Sequence, residues 1–147
     1  MPNFLSMIKA TLIKMSTKPK QAPDYRETVQ LSAKEIAVAL EKMGTSGWLI
    51  ITDVSDSEKW LQCSYTDEES RRIMLDFPLL GQRARYRDTI IRFCEAHHLS
   101  YEIQQGEIVQ CFLSENIDAA AKTTYQFCTD LLSVPSRGDV VVEINQS

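Results

Sequence analysis

In RARYRDTIIRFCEAHH, residues 83–98, four arginines, one cysteine and two adjacent histidines fall within sixteen residues. These are side chains that bind anions, ligate metals or act as nucleophile and base. Arginine forks grip carboxylate or phosphate when they converge. Cys94, His97 and His98 form a C-x-x-H-H string whose spacing sets two ligands on one side of a helix. At about 100° per residue, however, Tyr86, Ile90, Phe93 and His97 share one stripe with Cys94 on its edge, whereas Arg85 and Arg92 point away and Arg83 and Arg87 lie on a flank. That is the pattern of an amphipathic helix with a solvated back. Zinc or a thiolate–imidazole pair needs further groups that the sequence does not identify, so no metal is expected. His97 and Cys94 are read as finishing a buried stripe. The chemical alternative is a small-ligand or anion-binding enzyme using Arg83, Arg87 and His97 or His98. Arg71 and Arg72 could extend such a site, but Asp67, Glu68 and Glu69 are equally near and favour internal pairing. No Gly-rich phosphate loop, GxSxG, HExxH or EF-hand loop occurs, so neither a catalytic residue nor a cofactor is assigned.

The elements that must position these residues are legible on either side. LSAKEIAVALEKMG predicts a helix over 33–43: Ser32 caps it, Glu35 can complete a capping box, and Leu31 can staple against Ile36. Ile36, Ala39, Leu40 and Met43 form its buried stripe, and Gly44 is the stop. Three strand-like runs follow at 47–54, 59–65 and 71–77, split by short polar turns, which implies an antiparallel meander. Leu61, Cys63 and Tyr65 alternate with Trp60, Gln62 and Ser64, so one face of the sheet is apolar and the other half-polar. After the 83–98 helix, runs at 101–105 and 107–113 meet around Gly106 as a hairpin. Asn116 caps a third helix over 117–134, ended by Pro135, and VVVEI at 140–144 is a possible last strand. YRETVQL, from Tyr25, alternates as a short extended segment. RGD at 137–139 reads as a turn.

Ahead of this body, MPNFLSMIKATLIKM places Phe4, Ile8 and Met15 near one helical line with Leu5 and Leu12 flanking it, and Pro19 and Pro23 mark a linker. The chain therefore divides into a basic amphipathic arm and linker, residues 1–22, and a single α+β domain, residues 23–147. Residues 1–22 hold four lysines and no acid, so the other 12 basic residues face all 20 acids and the body is net −8. An acidic body argues against nucleic acid as a partner. The arm's lysines beside an apolar stripe allow weak membrane-surface contact, but docking on the body or on a second subunit suits them better. With 44% hydrophobic and 24% charged residues, the composition is that of a soluble globular domain, and no transmembrane segment or secretory leader is read. Cys63, Cys94, Cys111 and Cys128 make no CxxC pair and are read as reduced thiols, with the cytoplasm as compartment.

The fold class expected is α+β: an antiparallel sheet of about five strands with three helices, in the order α-β-β-β-α-β-β-α over residues 33–134, plus the N-terminal helix and the possible C-terminal strand. That order resembles the type III secretion chaperones and the wider chaperone-like group that includes the YbjN and TY-Chap domains. The resemblance is topological and rests on no diagnostic motif. It implies a cytoplasmic, often dimeric α/β sandwich that binds an extended segment of another protein without catalysis. Trp48 and Trp60 fit such a surface, because they fall on strand faces opposite the presumed core or at a strand start. Together with Phe4, Ile8 and Leu12 of the arm they are the candidate partner-binding residues of a non-catalytic interaction module, chaperone-like or regulatory, working as a homodimer.

Overall fold

The computed structural model describes residues 23–66 and 72–146. Phe4, Ile8, Leu12 and the arm–linker boundary lie outside the described residues, as do Arg71 and the acidic turn before it. Within them the order is β1 (Tyr25–Gln30), α1 (Ala33–Met43), β2 (Trp48–Asp53), β3 (Asp56–Tyr65), β4 (Ile73–Pro78), a 3₁₀ segment (Gly81–Tyr86), α2 (Arg87–Ala96), β5 (Ser100–Gln104), β6 (Ile108–Phe112), α3 (Ile117–Gln126) running into a wider π turn (Phe127–Leu131), and β7 (Asp139–Asn145). The α+β class holds. The expected count of about five strands is corrected to seven in one antiparallel sheet, ordered β1-β7-β2-β3-β4-β6-β5. Both additions come from the ends. β7 pairs along all of β1 on one side and along β2 on the other, so the last strand lies inside the sheet and the first forms its edge.

Local chemistry explains the elements. Ser32 Oγ accepts the Glu35 backbone N–H at 3.1 Å, and α1 buries Ile36, Ala39, Leu40 and Met43, the stripe its spacing predicts. Each large apolar side chain of that stripe contributes about 1.5–3 kcal/mol on burial. Asn116 Oδ1 likewise caps α3 by accepting from the Ala119 N–H at 3.0 Å. Gly47, between α1 and β2, cannot be another residue without rearrangement: a Cβ there would lie 2.1 Å from the Asn145 carbonyl oxygen. That close approach locks Trp48 into register with Asn145 on one side and Ser64 on the other. Gln105 and Gly106 take φ of 53° and 69°, both left-handed, within the three-residue connection 105–107 that joins β5 to β6.

All three helices pack on one face of the sheet. Thr124 of α3 lies against the Cys63 thiol, Cys94 of α2 against Cys111, and α1 lies along α3. The row Ile144–Leu49–Cys63–Leu75–Cys111 runs across five strands beneath them, with none of its members more than 1% exposed. Phe77, Phe93 and Phe127 meet edge-on or tilted within this core, with ring centroids 5.4–5.7 Å apart, and Tyr86 closes on Phe77 at 5.7 Å.

Candidate binding face of the sheet

Strand geometry sends alternate side chains to the opposite side. There the row Glu143–Ile50–Gln62–Asp76–Gln110–Glu102 crosses six strands in register. A neighbouring row holds Trp48, Ser64, Met74 and Phe112, and the row on the other side Thr52 with Trp60 and Pro78 with Ile108. Trp48, Ile50, Trp60 and Phe112 are half-buried. Gln62, Met74, Asp76, Ile108 and Gln110 are buried, and Met74 and Ile108 are not part of the helix-side core cluster. This face is therefore aromatic and apolar around a polar centre, and no described helix lies over it.

The polar centre has defined chemistry. Gln110 Nε2 donates to Asp76 Oδ1 at 3.1 Å, while Gln110 Oε1 is buried with no hydrogen-bond donor. Burial pushes the Asp76 carboxyl up to about 7, against the opposing effect of the Gln110 amide bond. The neutral acid is the form this site favours. Its own O–H is the kind of donor that Gln110 Oε1 lacks, so acid and amide can satisfy each other in both directions. A carboxyl that titrates near neutrality makes the centre of the face close to apolar below that point and anionic above it.

The sequence-derived anion site is arranged differently from a cradle. Arg83 is 4% exposed, and its guanidinium is committed: Nε donates to the Pro78 carbonyl at 3.0 Å, and the two terminal nitrogens donate to Glu58 at 2.8 Å and Trp60 at 2.9 Å. The reason lies in Pro78, which has no N–H and ends the β3–β4 ladder. Arg83 replaces the missing donors at that end and is sandwiched between Trp60 and Phe77, 3.8 Å from each ring. Burial lowers its pKa to about 9, with Glu58 opposing the fall, so it stays charged at neutral pH. Arg87 is exposed one turn later. His97 stacks on Phe93 at 4.1 Å between ring centroids, and His98 is exposed in a left-handed turn at φ 55°. The four residues do not converge. Arg72 turns elsewhere, with Nε donating to the Leu113 carbonyl at 3.2 Å.

The cysteines are free and buried. Burial pushes Cys63 up to about 12 and Cys128 up as well, so both are unreactive thiols. Cys94 and Cys111, assigned to separate elements by sequence, bring their sulfurs to 3.0 Å, within reach of a thiol–thiol hydrogen bond in which either can donate. No group of three or more His, Cys, Asp or Glu side chains able to hold a metal occurs among the described residues. An open groove between α1 and α3 is lined by Ala33, Ala37, Val38 and Ala119 together with the charged pairs Lys34, Lys122 and Glu41, Asp118. No described helix is long and apolar enough to cross a membrane.

What sequence reasoning missed was Asp76 with Gln110, and the role of Arg83. A signal existed for the first pair: each is a lone polar residue inside an otherwise apolar strand, IMLDFP and IVQCF. No family model matches the chain, and no curated protein and no solved structure matches it. The likeness to type III secretion chaperones and their relatives thus rests on element order alone.

Proposed function

We propose that the chain is a non-catalytic protein–protein interaction module, chaperone-like or regulatory, that takes an apolar segment of another protein across the second face of its sheet. One observation carries this reading: every described helix packs on the opposite face, while Trp48, Trp60, Ile50 and Phe112 stand half-buried on this one around a buried polar centre. Aromatic anchors of this kind dominate interface energetics. The enzyme alternative draws less support, because Arg83 is committed to three carbonyls and neither Arg87 nor the histidines join it. The resemblance in element order points the same way as the binding reading. A cytoplasmic setting, in keeping with four free thiols, and a homodimer belong to the same proposal. The dimer draws on the two edges of the sheet, β1 and β5, each paired on one side only among the described strands. Sedimentation of the full chain tests it, with a one-chain mass as the contrary result.

The binding reading is tested by selecting a phage-displayed peptide library against the full chain. Peptides with recurring apolar residues should be recovered and should lose about tenfold in affinity for the Trp48→Ser variant, a loss typical of an aromatic anchor. Recovery of no peptide, or equal binding to Trp48→Ser, overturns it.

A further inference from the structure

The sulfurs of Cys94 and Cys111 meet at 3.0 Å between the last turn of α2 and β6, and both side chains are buried. We propose that these two thiols form a reversible disulfide when the folded protein meets hydrogen peroxide, joining α2 to the sheet. The reduced pair is the resting state.

Both sulfurs are held by rigid backbone. The Cys94 carbonyl accepts the Leu99 N–H at 2.8 Å and the Glu95 carbonyl accepts the His98 N–H at 3.2 Å, with His98 left-handed at φ 55°. This is the paired closure by which a helix ends on a left-handed residue, and it leads the chain directly into β5. There Tyr101 pairs with Cys111. The end of α2 is thus tied to the strand beside Cys111, and strand alternation turns the Cys111 side chain toward the helices. Closing the bond brings the sulfurs together by about 1 Å, to the roughly 2.0 Å of a disulfide. Cys63 is placed differently. It lies two strands from Cys111 in the same row, about 9–10 Å away, where bridging needs Cα atoms within about 7 Å, and Thr124 hydrogen-bonds its thiol.

The chemistry has a direction. A thiolate at Cys94 accepts the Cys111 S–H, which lowers the Cys94 pKa, while the same bond and burial raise that of Cys111. Cys94 is therefore the attacking thiol. Its thiolate breaks the O–O bond of the peroxide, becoming a sulfenic acid and releasing hydroxide, which takes up the proton Cys94 had lost. Cys111 then attacks the Cys94 sulfur, and its proton leaves with the sulfenic oxygen as water. Two thiols give up two electrons and one peroxide becomes two waters. Glu95, Ala96 and His98 around the cap are exposed, and β5 is paired on one side only among the described strands. Local opening at such an edge admits a molecule as small as a peroxide.

The test treats the full chain with hydrogen peroxide in the absence of denaturant, alkylates the remaining thiols before and after unfolding, and maps the digested protein with and without reduction. The expected result is one linked pair of peptides, carrying Cys94 and Cys111, with the intact mass lower by two hydrogens and the link removed by dithiothreitol. Cys63 and Cys128 should be alkylated only after unfolding. A link that forms only in denaturant, a link that includes Cys63 or Cys128, or irreversible oxidation of Cys94 with Cys111 still a thiol overturns the proposal. In Cys111→Ser, whose hydroxyl keeps a donor at that position, the same treatment should leave a sulfenic acid on Cys94 that dimedone traps. An unlabelled Cys94 in that variant overturns the order of attack.

Discussion

The two faces of this sheet are both largely closed to water, but they are closed by different chemistry. Under the helices the row Ile144–Leu49–Cys63–Leu75–Cys111 is apolar throughout. One residue along each strand, on the other face, the row Glu143–Ile50–Gln62–Asp76–Gln110–Glu102 places a carboxyl and two amides in the middle of the sheet. A single-residue step reverses every side chain, so the two rows are interleaved in the same strands and differ only in parity. The helix face is apolar beneath the helices and, among the described residues, has its own buried carboxylate only at the end of β2, where Asp53 Oδ1 accepts from Ser55 and Oδ2 has no hydrogen-bond partner. The second face keeps its buried acid and its unsatisfied amide oxygen in the middle of the sheet, at Asp76 and Gln110, rather than at a strand end.

The contrast can be broken or sharpened by substitution. Leu75, fully buried at the centre of the helix side, should show the largest effect: Leu75→Ala is expected to cost about 3–4 kcal/mol, the range for a core leucine, and to lower the melting temperature by roughly 10 °C. A loss below about 1 kcal/mol would mean that the helix layer is not the packed one. Next is Arg83, which belongs to the sheet's end rather than to any ligand. Arg83→Met leaves three carbonyls without their donor and should cost about 3 kcal/mol. Arg83→Lys should recover little of it, because an ammonium cannot reproduce the planar fork. Denaturant midpoints check both, and full rescue by lysine would contradict the three-carbonyl role.

A smaller effect, of opposite sign, is expected at Asp76. Its folded pKa of about 7 lies above the ordinary carboxyl value, so the folded protein holds a proton that the unfolded chain releases. Native stability is then full below about pH 4 and declines as pH rises through 7. Asp76→Asn removes that dependence, and its amide can also donate to Gln110 Oε1. It should stabilise the protein by about 2 kcal/mol at pH 8, with a gain that shrinks toward pH 4. Thermal melts across that range decide it; destabilisation at pH 8 would show that the carboxylate is the native form. Trp48→Ser should be the mildest of these changes to the fold, within about 1 kcal/mol, since the indole is half-buried.

Much of this was legible in the sequence, for reasons that are local. Ser32, the Ile36–Met43 stripe and Gly44 define α1 without reference to anything distant. The alternation of Leu61, Cys63 and Tyr65 against Trp60, Gln62 and Ser64 divides the faces correctly. The joining of β1 to β7 was not legible, because pairing Tyr25 with Ile144 is a long-range event that neither segment advertises. Arg83 was placed on a helix flank by assuming 3.6 residues per turn across 83–98, whereas Gly81–Tyr86 is a 3₁₀ segment with about three per turn, which rotates Arg83 off that flank. Asp76 and Gln110 are 34 residues apart, and only the β4–β6 register makes them neighbours.

The division into a packed face and a binding face is tested most directly by nuclear magnetic resonance of the full chain titrated with the tightest library peptide. The expected result is a set of amide and indole shifts gathered on Trp48, Ile50, Gln62, Met74 and Phe112, with the helix-side core unmoved. Shifts gathered instead on Ala33, Val38, Asp118 and Lys122 would assign recognition to the α1–α3 groove and contradict the role given to the second face.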